Sequence, residues 1–589
     1  MKRSEQKLEN TWDLSALFKD SKEWRKAYDE ALASIEKLAP FQGKLGESSS
    51  TFYNALETIK SVSFEIETVC HYAALNYESD ASNAEYQEMN GRADGLEAKF
   101  AQAISYFEPE LLAMDDKKLS SFLAEERFAE YRIFISKLLH MKSHTLSKEE
   151  EHLLALNAEA GSACQIAFHD LADVDLDFGT VNGVKLTQSS FASLIRNEDE
   201  NVRKEAYEKF YSEFKAHQHV IARLYAGSVN QDIFYARAKK YASSLEAALY
   251  PDNVPTSVYR NLIDAVHEAF PILHRYYALM ARVLGKKKLK HYDVYVPLVK
   301  GAQSNITYEE AVELIKKAVA PLGKEYQETL VKGLTTERWV DRYENEGKRS
   351  GAFSSGAYKG NPYILTNYKD DVINSVFTLI HEGGHSMHSY YSVRNNPYMS
   401  YNYTIFEAEV ASTFNEELLG HYLIEHSDDD KMKAYLISTK LGDIVATLFR
   451  QTMFAEFELL VHEEVEKGGV ATVGFLRETY RKLLEAYFGP IMEFEENSDL
   501  EGLRIPHFYR AFYVYKYATG ISAAIALSQR VLKGGEKERN DYLGFLKSGG
   551  SQYPIDSLKK AGVDMSLKES IKAATDYFET LLVQLEGLL

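Results

Sequence analysis

Two histidines four positions apart, His381 and His385, enclose a carboxylate in the pentad His381-Glu382-Gly383-Gly384-His385. On an α-helix, side chains at i and i+4 share a face about 5 to 6 Å apart, so both imidazoles could reach one metal ion. Zinc suits the pattern, because a catalytic zinc takes neutral imidazole nitrogens, uses three protein ligands and keeps one position open. Glu382 lies between the histidines in sequence but not in space. At roughly 100° per residue its carboxylate leaves the ligand face sideways, where it could take a proton from a water at the metal. The chemistry within reach is hydrolysis by an activated water with a carboxylate general base.

Such a site needs a helix beneath it and a third ligand beside it. The segment 371–380, DVINSVFTLI, sets Val372, Ile373, Val376, Phe377 and Ile380 at helical spacing, which predicts that the pentad continues a helix. Gly383 and Gly384 inside that helix should each cost about 1 kcal/mol against Ala. Close approach of a substrate or of another backbone would give them a reason. His388 shares the face of His381 but lies roughly 10 Å further along the axis, too far for one metal, and reads as a group supporting the ligands or facing substrate. The run 406–417, FEAEVASTFNEE, opens a second apolar-periodic helix. On chemistry alone Glu407, Glu409 or Glu416 could close the site.

Upstream of the pentad, Tyr363 to Tyr368 is a β-rich run bounded by Gly360, Asn361 and Pro362, which predicts a strand next to the metal. As an edge strand it could pair with an extended peptide. Most of the remaining chain repeats at 3.6 residues and contains only 12 prolines, so the fold class expected is mainly α. Three segments are read along it. Residues 1–114 form a helical region, with Ser21 the expected N-cap of an early helix. Residues 115–197 form a small helical piece ending in a hairpin, where Val174 to Phe178 alternates and Asn182-Gly183 makes the turn. Residues 198–589, opened by a capping run Asn197-Glu198-Asp199-Glu200, hold the chemistry.

A chain of 589 residues that is 45% hydrophobic can bury a large core. Lys+Arg of 68 against Asp+Glu of 87 gives a net charge of −19, which disfavours nucleic acid and anionic membrane as partners. Two cysteines, Cys70 and Cys164, indicate no disulfide framework. The start MKRSEQKLENTWDLSALF lacks an apolar run of secretory length, and no stretch approaches the roughly 20 apolar residues of a membrane span. A cytoplasmic protein is expected, with its oligomeric state open.

The pentad, Glu409-Val-Ala-Ser412, and a set of blocks spread over nearly the whole chain resemble the M3 family of zinc metallopeptidases, in its oligoendopeptidase F branch. The blocks are Thr11–Leu14, His291–Pro297, Lys348–Gly356, Asn361–Leu365, His507–Tyr509 with Tyr517–Gly520, and Lys547–Gly550. The resemblance implies a large multi-helix metallopeptidase fold with a deep substrate channel and a small β-sheet beside the zinc helix. It implies one zinc ion per chain, held by His381, His385 and Glu409, with Glu382 as the base. It also implies that His507 and Tyr509, with Tyr515 as a further candidate, steady the oxyanion. From the residues alone, Tyr509, Tyr513 and Tyr517 fall at steps of four on one face and Tyr515 on another.

Segment 115–197 corresponds by the same resemblance to an oligopeptidase F N-terminal-type domain, and the substrates implied are short unfolded peptides cut internally. Many relatives outside this branch carry Phe at the position of Gly383, which predicts a different subsite floor here. Two rivals remain: a helical metallocarboxypeptidase, which would need a group capturing the terminal carboxylate, and a non-catalytic peptide-binding scaffold.

Overall fold

Helical periodicity dominates the fold as it does the sequence. The computed structural model describes residues 1–299, 301 and 305–589. The helices that matter for the chemistry are α1 (Ser49–Ser79), α2 (Ala84–Ile104), α3 (Glu200–Ala238), α4 (Lys324–Leu334), α5 (Asn374–Asn395), α6 (Ile405–Glu425), α7 (Arg450–Glu466), α8 (Tyr515–Lys533) and α9 (Glu536–Ser548). The strands are short: β1 (Thr180–Val181), β2 (Val184–Lys185), β3 (Leu289–Lys290), β4 (Val340–Asp341), β5 (Phe353–Ser355), β6 (Tyr363–Leu365) and β7 (Met492–Glu493). No described helix is long and apolar enough to cross a membrane.

Two compact units emerge, each assembled from separated stretches of chain. One comprises Met1–Ser143, Gln303–Tyr422 and Leu527–Gly562; the other comprises His144–Ala302, Leu423–Ala526 and Val563–Leu589. They follow packing rather than chain order, and so divide the molecule differently from the three segments read along the sequence.

In the first unit, α1 and α2 build a core with Trp24, Phe52, Leu56, Phe128 and Tyr131, and Tyr363 and Leu365 of β6 belong to the same cluster. The sheet order is β4-β6-β5, with β4 parallel and β5 antiparallel to β6. The predicted strand is thus present over its first three residues, but β6 is central and fully buried, and the edges belong to β4 and β5. β6 has to pair on both sides because, buried, its backbone N–H and C=O groups have no water to bond. Lys348 locks the sheet from beneath: its Nζ lies 2.8 Å from Asp341 Oδ1 and donates to the carbonyls of Tyr343 at 2.7 Å and Thr366 at 2.6 Å. Arg3 takes the other Asp341 oxygen at 2.6 Å. The early helix starts one residue sooner than expected, since Asp20, not Ser21, is the cap, accepting the amides of Lys22 at 3.0 Å and Glu23 at 2.9 Å.

In the second unit, β1 and β2 form the predicted hairpin, with Val181 opposite Val184 and both turn residues left-handed, Asn182 at φ 48° and Gly183 at φ 75°. The alternation at 174–178 is not a strand. Val174 and Asp175 close a π-helical turn, Asp170–Asp175, after which the chain leaves the helix and sinks Leu176 and Phe178 while their neighbours stay exposed. Phe178 stacks 4.6 Å from Phe210 of α3, which also stacks 4.0 Å from Phe191. Within the capping run Asn197–Glu200 it is Asp199 that caps α3, accepting the Asn201 amide at 2.9 Å.

Candidate metal centre

Val376, Leu379 and Ile380 bury the inner face of α5, while Val372, ahead of its first turn, is exposed. The pentad falls in the middle of this helix. Gly384 is explained by a second backbone: a Cβ there would stand 2.6 Å from the Ala411 carbonyl oxygen and 2.7 Å from Ser412 Cα. At that point α5 and α6 cross almost in contact, which brings the first turns of α6 opposite the two histidines. Gly383 faces Leu330 of α4, whose Cδ1 would lie 3.1 Å from an added Cβ. The position expected at a subsite floor therefore looks into packed core.

The three acidic candidates separate by what they touch. Glu409 Oε2 lies 3.7 Å from His381 Nε2 and 3.9 Å from His385 Nε2. One ligand atom from each of these residues falls within 4.8 Å of the others. Glu416, two turns further along the same face of α6, accepts from His381 Nδ1 at 2.9 Å. Glu407 is turned back into the helix start, where its Oε2 accepts the Thr404 amide at 3.3 Å and hydroxyl at 3.1 Å. Ser412 Oγ, one turn from Glu409, donates to its Oε2 at 3.3 Å.

This donor set fits zinc. Two imidazoles and a carboxylate converge, His381 has its second nitrogen engaged on Glu416, and the Ala408 backbone lies beside His385. In the metal-free chain burial alone would lower His381, but the Glu416 hydrogen bond and the charges of Glu416, Glu382 and Glu409 lift it to about 9. Burial and the neighbouring His381 charge press His385 down to about 3. Glu382 is 7% exposed, and burial pushes its carboxyl up to about 7, against the pull of His381. A carboxyl titrating near neutrality is suited to taking and returning a proton.

The sheet holds the metal helix in place through serines. Ser386 Oγ meets Ser354 Oγ of β5 at 2.8 Å and donates to the Pro362 carbonyl at 3.1 Å. His388 is fully buried, stacked 3.6 Å and 8° from Tyr403 and 5.3 Å from Phe545 of α9. It fills core rather than facing substrate. Its stacking partner, through a hydroxyl 2.8 Å from Ser389 Oγ, braces α5 instead.

The tyrosine-rich segment lies in the second unit. His507 is exposed there, and Tyr513 and Tyr517, both half-buried, gather round it: ring centroids lie 6.3 Å from Tyr513 at 15° and 6.1 Å from Tyr517 at 78°. Burial and Arg510 hold the His507 imidazole below its usual range. Tyr509 is buried, stacked 4.4 Å from Phe168, and its hydroxyl has no hydrogen-bond partner among the described residues. Tyr515 is fully buried, 5.3 Å from Tyr259.

The profile of Peptidase family M3 matches residues 193–577, and that of Oligopeptidase F matches residues 110–178. The chain belongs to peptidase family M3. It is 43% identical over 593 residues to oligopeptidase PepF of Bacillus subtilis, covering all of this chain and 88% of that one. It is 40% identical over 586 residues to an oligoendopeptidase F homolog of Borreliella burgdorferi, covering all of this chain and 99% of the other. A crystal structure of a candidate peptidase from Chlamydophila abortus superposes with TM-score 0.95 at 36% identity over the full length of both chains. This M3 peptidase stands in the oligoendopeptidase F branch, a metalloendopeptidase lineage whose implied metal is zinc.

Sequence reasoning about this M3 peptidase weighed Glu416 only as a ligand and missed its hold on His381. The signal was available, because Glu416 follows Glu409 by seven residues and so repeats its helix face. The Ser354–Ser386 link had no sequence signal, since it depends on how the sheet meets α5.

Proposed function

We propose that this M3 peptidase is a zinc-dependent oligoendopeptidase that hydrolyses internal bonds of short unfolded peptides in the cytoplasm, with neither nucleic acid nor membrane as partner. The observation that carries the reading is the convergence of His381, His385 and Glu409 within 4.8 Å, with the buried carboxyl of Glu382 on the adjoining helix position. Those three residues would hold one zinc ion per chain. When bound, zinc would supply the Lewis acidity that polarises the scissile carbonyl and acidifies a water. Glu382 accepts the proton of the attacking water and returns it to the departing amine. Glu416 fixes the His381 ring so that Nε2 points at the site.

Donors to the tetrahedral oxyanion come from the tyrosine-rich segment. Family resemblance carries His507 and Tyr509, with Tyr515 as a further candidate. Burial of both those phenols, and the grouping of Tyr513 and Tyr517 round the exposed His507, favour Tyr513 and Tyr517 as the phenols that act with His507. The three-segment organisation, residues 1–114, 115–197 and 198–589, is proposed as the order in which helical region, oligopeptidase F N-terminal-type domain and catalytic domain follow one another.

The test is digestion of an internally quenched peptide of about ten residues, amidated at its C-terminus, with fragments read by mass. Internal cuts abolished by a chelator and restored by zinc are expected. Failure to cut the amidated peptide while its free-acid form is trimmed from the C-terminus would establish a carboxypeptidase. Failure to cut either with zinc bound would leave a peptide-binding scaffold.

A further inference from the structure

Between the turn Pro506–Tyr509 and helix α8 the chain passes through Phe512 at φ +55°, a left-handed conformation strained for a bulky residue. Such a conformation persists only where its surroundings impose it. What imposes it here is a buried acid from α7: the Phe512 amide donates to Glu458 Oε1 at 3.1 Å. The ring is held as well, 4.6 Å from His462 and 5.6 Å edge-on to Tyr259. His462 is itself fixed, Nδ1 on the Glu458 carbonyl at 2.8 Å and Nε2 on Asp232 at 3.2 Å.

Glu458 is fully buried, and its second carboxyl oxygen has no hydrogen-bond partner among the described residues. Burial raises this carboxyl well above the ordinary range. An apolar side chain of the same volume could fill this position, but it would leave the buried Phe512 amide without a partner. What the acid provides, and an apolar residue cannot, is an acceptor for one amide at the point where the loop reverses hand. Tyr513 follows at once, and it is Tyr513 that stacks on His507 and meets Tyr517 edge-on at 5.5 Å.

We infer that Glu458 is a positioning residue for catalysis: by holding the Phe512 amide it fixes the left-handed turn that gathers His507, Tyr513 and Tyr517 into one cluster. The inference rests on the reading above that this cluster donates to the oxyanion. Glu458→Met removes the acceptor while keeping volume, and Glu458→Gln keeps the acceptor. With both variants zinc-loaded, Glu458→Met should lose at least tenfold in kcat with KM within twofold. Its affinity for a phosphinic peptide, which presents a tetrahedral anion, should fall in step with kcat/KM. Its thermal midpoint should fall only modestly, as expected for one buried amide left without its acceptor, and amide exchange over residues 506–514 should quicken. Glu458→Gln should restore all of these to near wild type.

A Glu458→Met enzyme with wild-type kcat overturns the inference, and so does a Glu458→Gln enzyme that loses as much activity as the Met variant. If Glu458→Met does not fold, the Gln variant decides by its kcat and by the exchange rate of the Phe512 amide. His507→Ala and Tyr513→Phe separate the two readings. Loss of kcat in these with none in Glu458→Met sinks this inference alone, whereas unchanged kcat in both sinks the donor reading and the catalytic consequence drawn from it.

Discussion

Removing Glu416 should weaken the metal centre without touching a ligand. Its Oε1 lies 2.9 Å from His381 Nδ1, with the two side chains 30% and 26% exposed. A hydrogen bond to a charged group contributes about 1.5 to 3 kcal/mol when buried, and exposure of this order puts the pair at the low end, about 1.5 kcal/mol. Since 1.4 kcal/mol is a factor of ten, Glu416→Ala should raise the zinc Kd roughly tenfold, at the lower edge of the usual 10- to 100-fold effect of such partners. Glu416→Gln keeps an acceptor for Nδ1 and loses only the charge, so a few-fold change is expected. Competition against a chromophoric chelator above about pH 9, where the His381 proton no longer competes with the metal, reads both. With zinc saturating, kcat of either variant should stay within a few-fold of wild type. An alanine variant that binds zinc as tightly as wild type would refute the assignment of Glu416 to orienting His381.

Two further outcomes follow from packing and from burial. Gly384→Ala should destabilise by about 1 to 3 kcal/mol, because the added methyl meets the Ala411 and Ser412 backbone, which cannot move aside without separating α5 from α6. Gly383→Ala meets only the end of Leu330 and gains up to about 1 kcal/mol of helix propensity, so thermal midpoints should rank it far above Gly384→Ala. In the second unit, burial alone would raise the Glu501 carboxyl, but Arg450, His291 and Arg504 hold it at about 2, and Tyr480 donates to it at 2.8 Å. Its folded value lies below the unfolded one of about 4.3, so its stabilisation is complete above that pH and is lost as pH falls towards 2. That contribution is on the order of 3 kcal/mol. Urea midpoints of wild type should drop between about pH 5 and pH 3, and Glu501→Gln, weaker at neutral pH by about 3 to 5 kcal/mol, should lack that part of the slope. Parallel profiles would contradict it.

Features of the sequence set by near neighbours were legible: the i, i+4 histidines, the helix beneath them, the Asn182-Gly183 turn and the capping run Asn197–Glu200. Each depends on neighbours within a few residues, which the sequence displays directly. Identities that depend on a crossing of two elements were not. Glu407, Glu409 and Glu416 are alike in chemistry, and only the approach of α6 to Gly384 decides that one faces both histidines, one holds a ring and one caps its own helix. The strand at Tyr363 was visible, but its central place was not, because pairing partners lie on both sides in distant chain. The tyrosines were the hardest case. Among 40 in the chain, spacing put Tyr509, Tyr513 and Tyr517 on one helix face, yet the helix begins only at Tyr515, and the left-handed Phe512 resets the direction of everything before it.

Glu382→Gln is the most direct test. The substitution keeps shape and hydrogen bonding near the metal helix while removing the proton acceptor. Zinc content measured beside kcat on the quenched amidated peptide should show one zinc per chain in both proteins and a fall in kcat of about 10² to 10⁴ in the variant. A zinc-loaded Glu382→Gln enzyme that turns over at near wild-type rate would contradict hydrolysis by a water activated through Glu382.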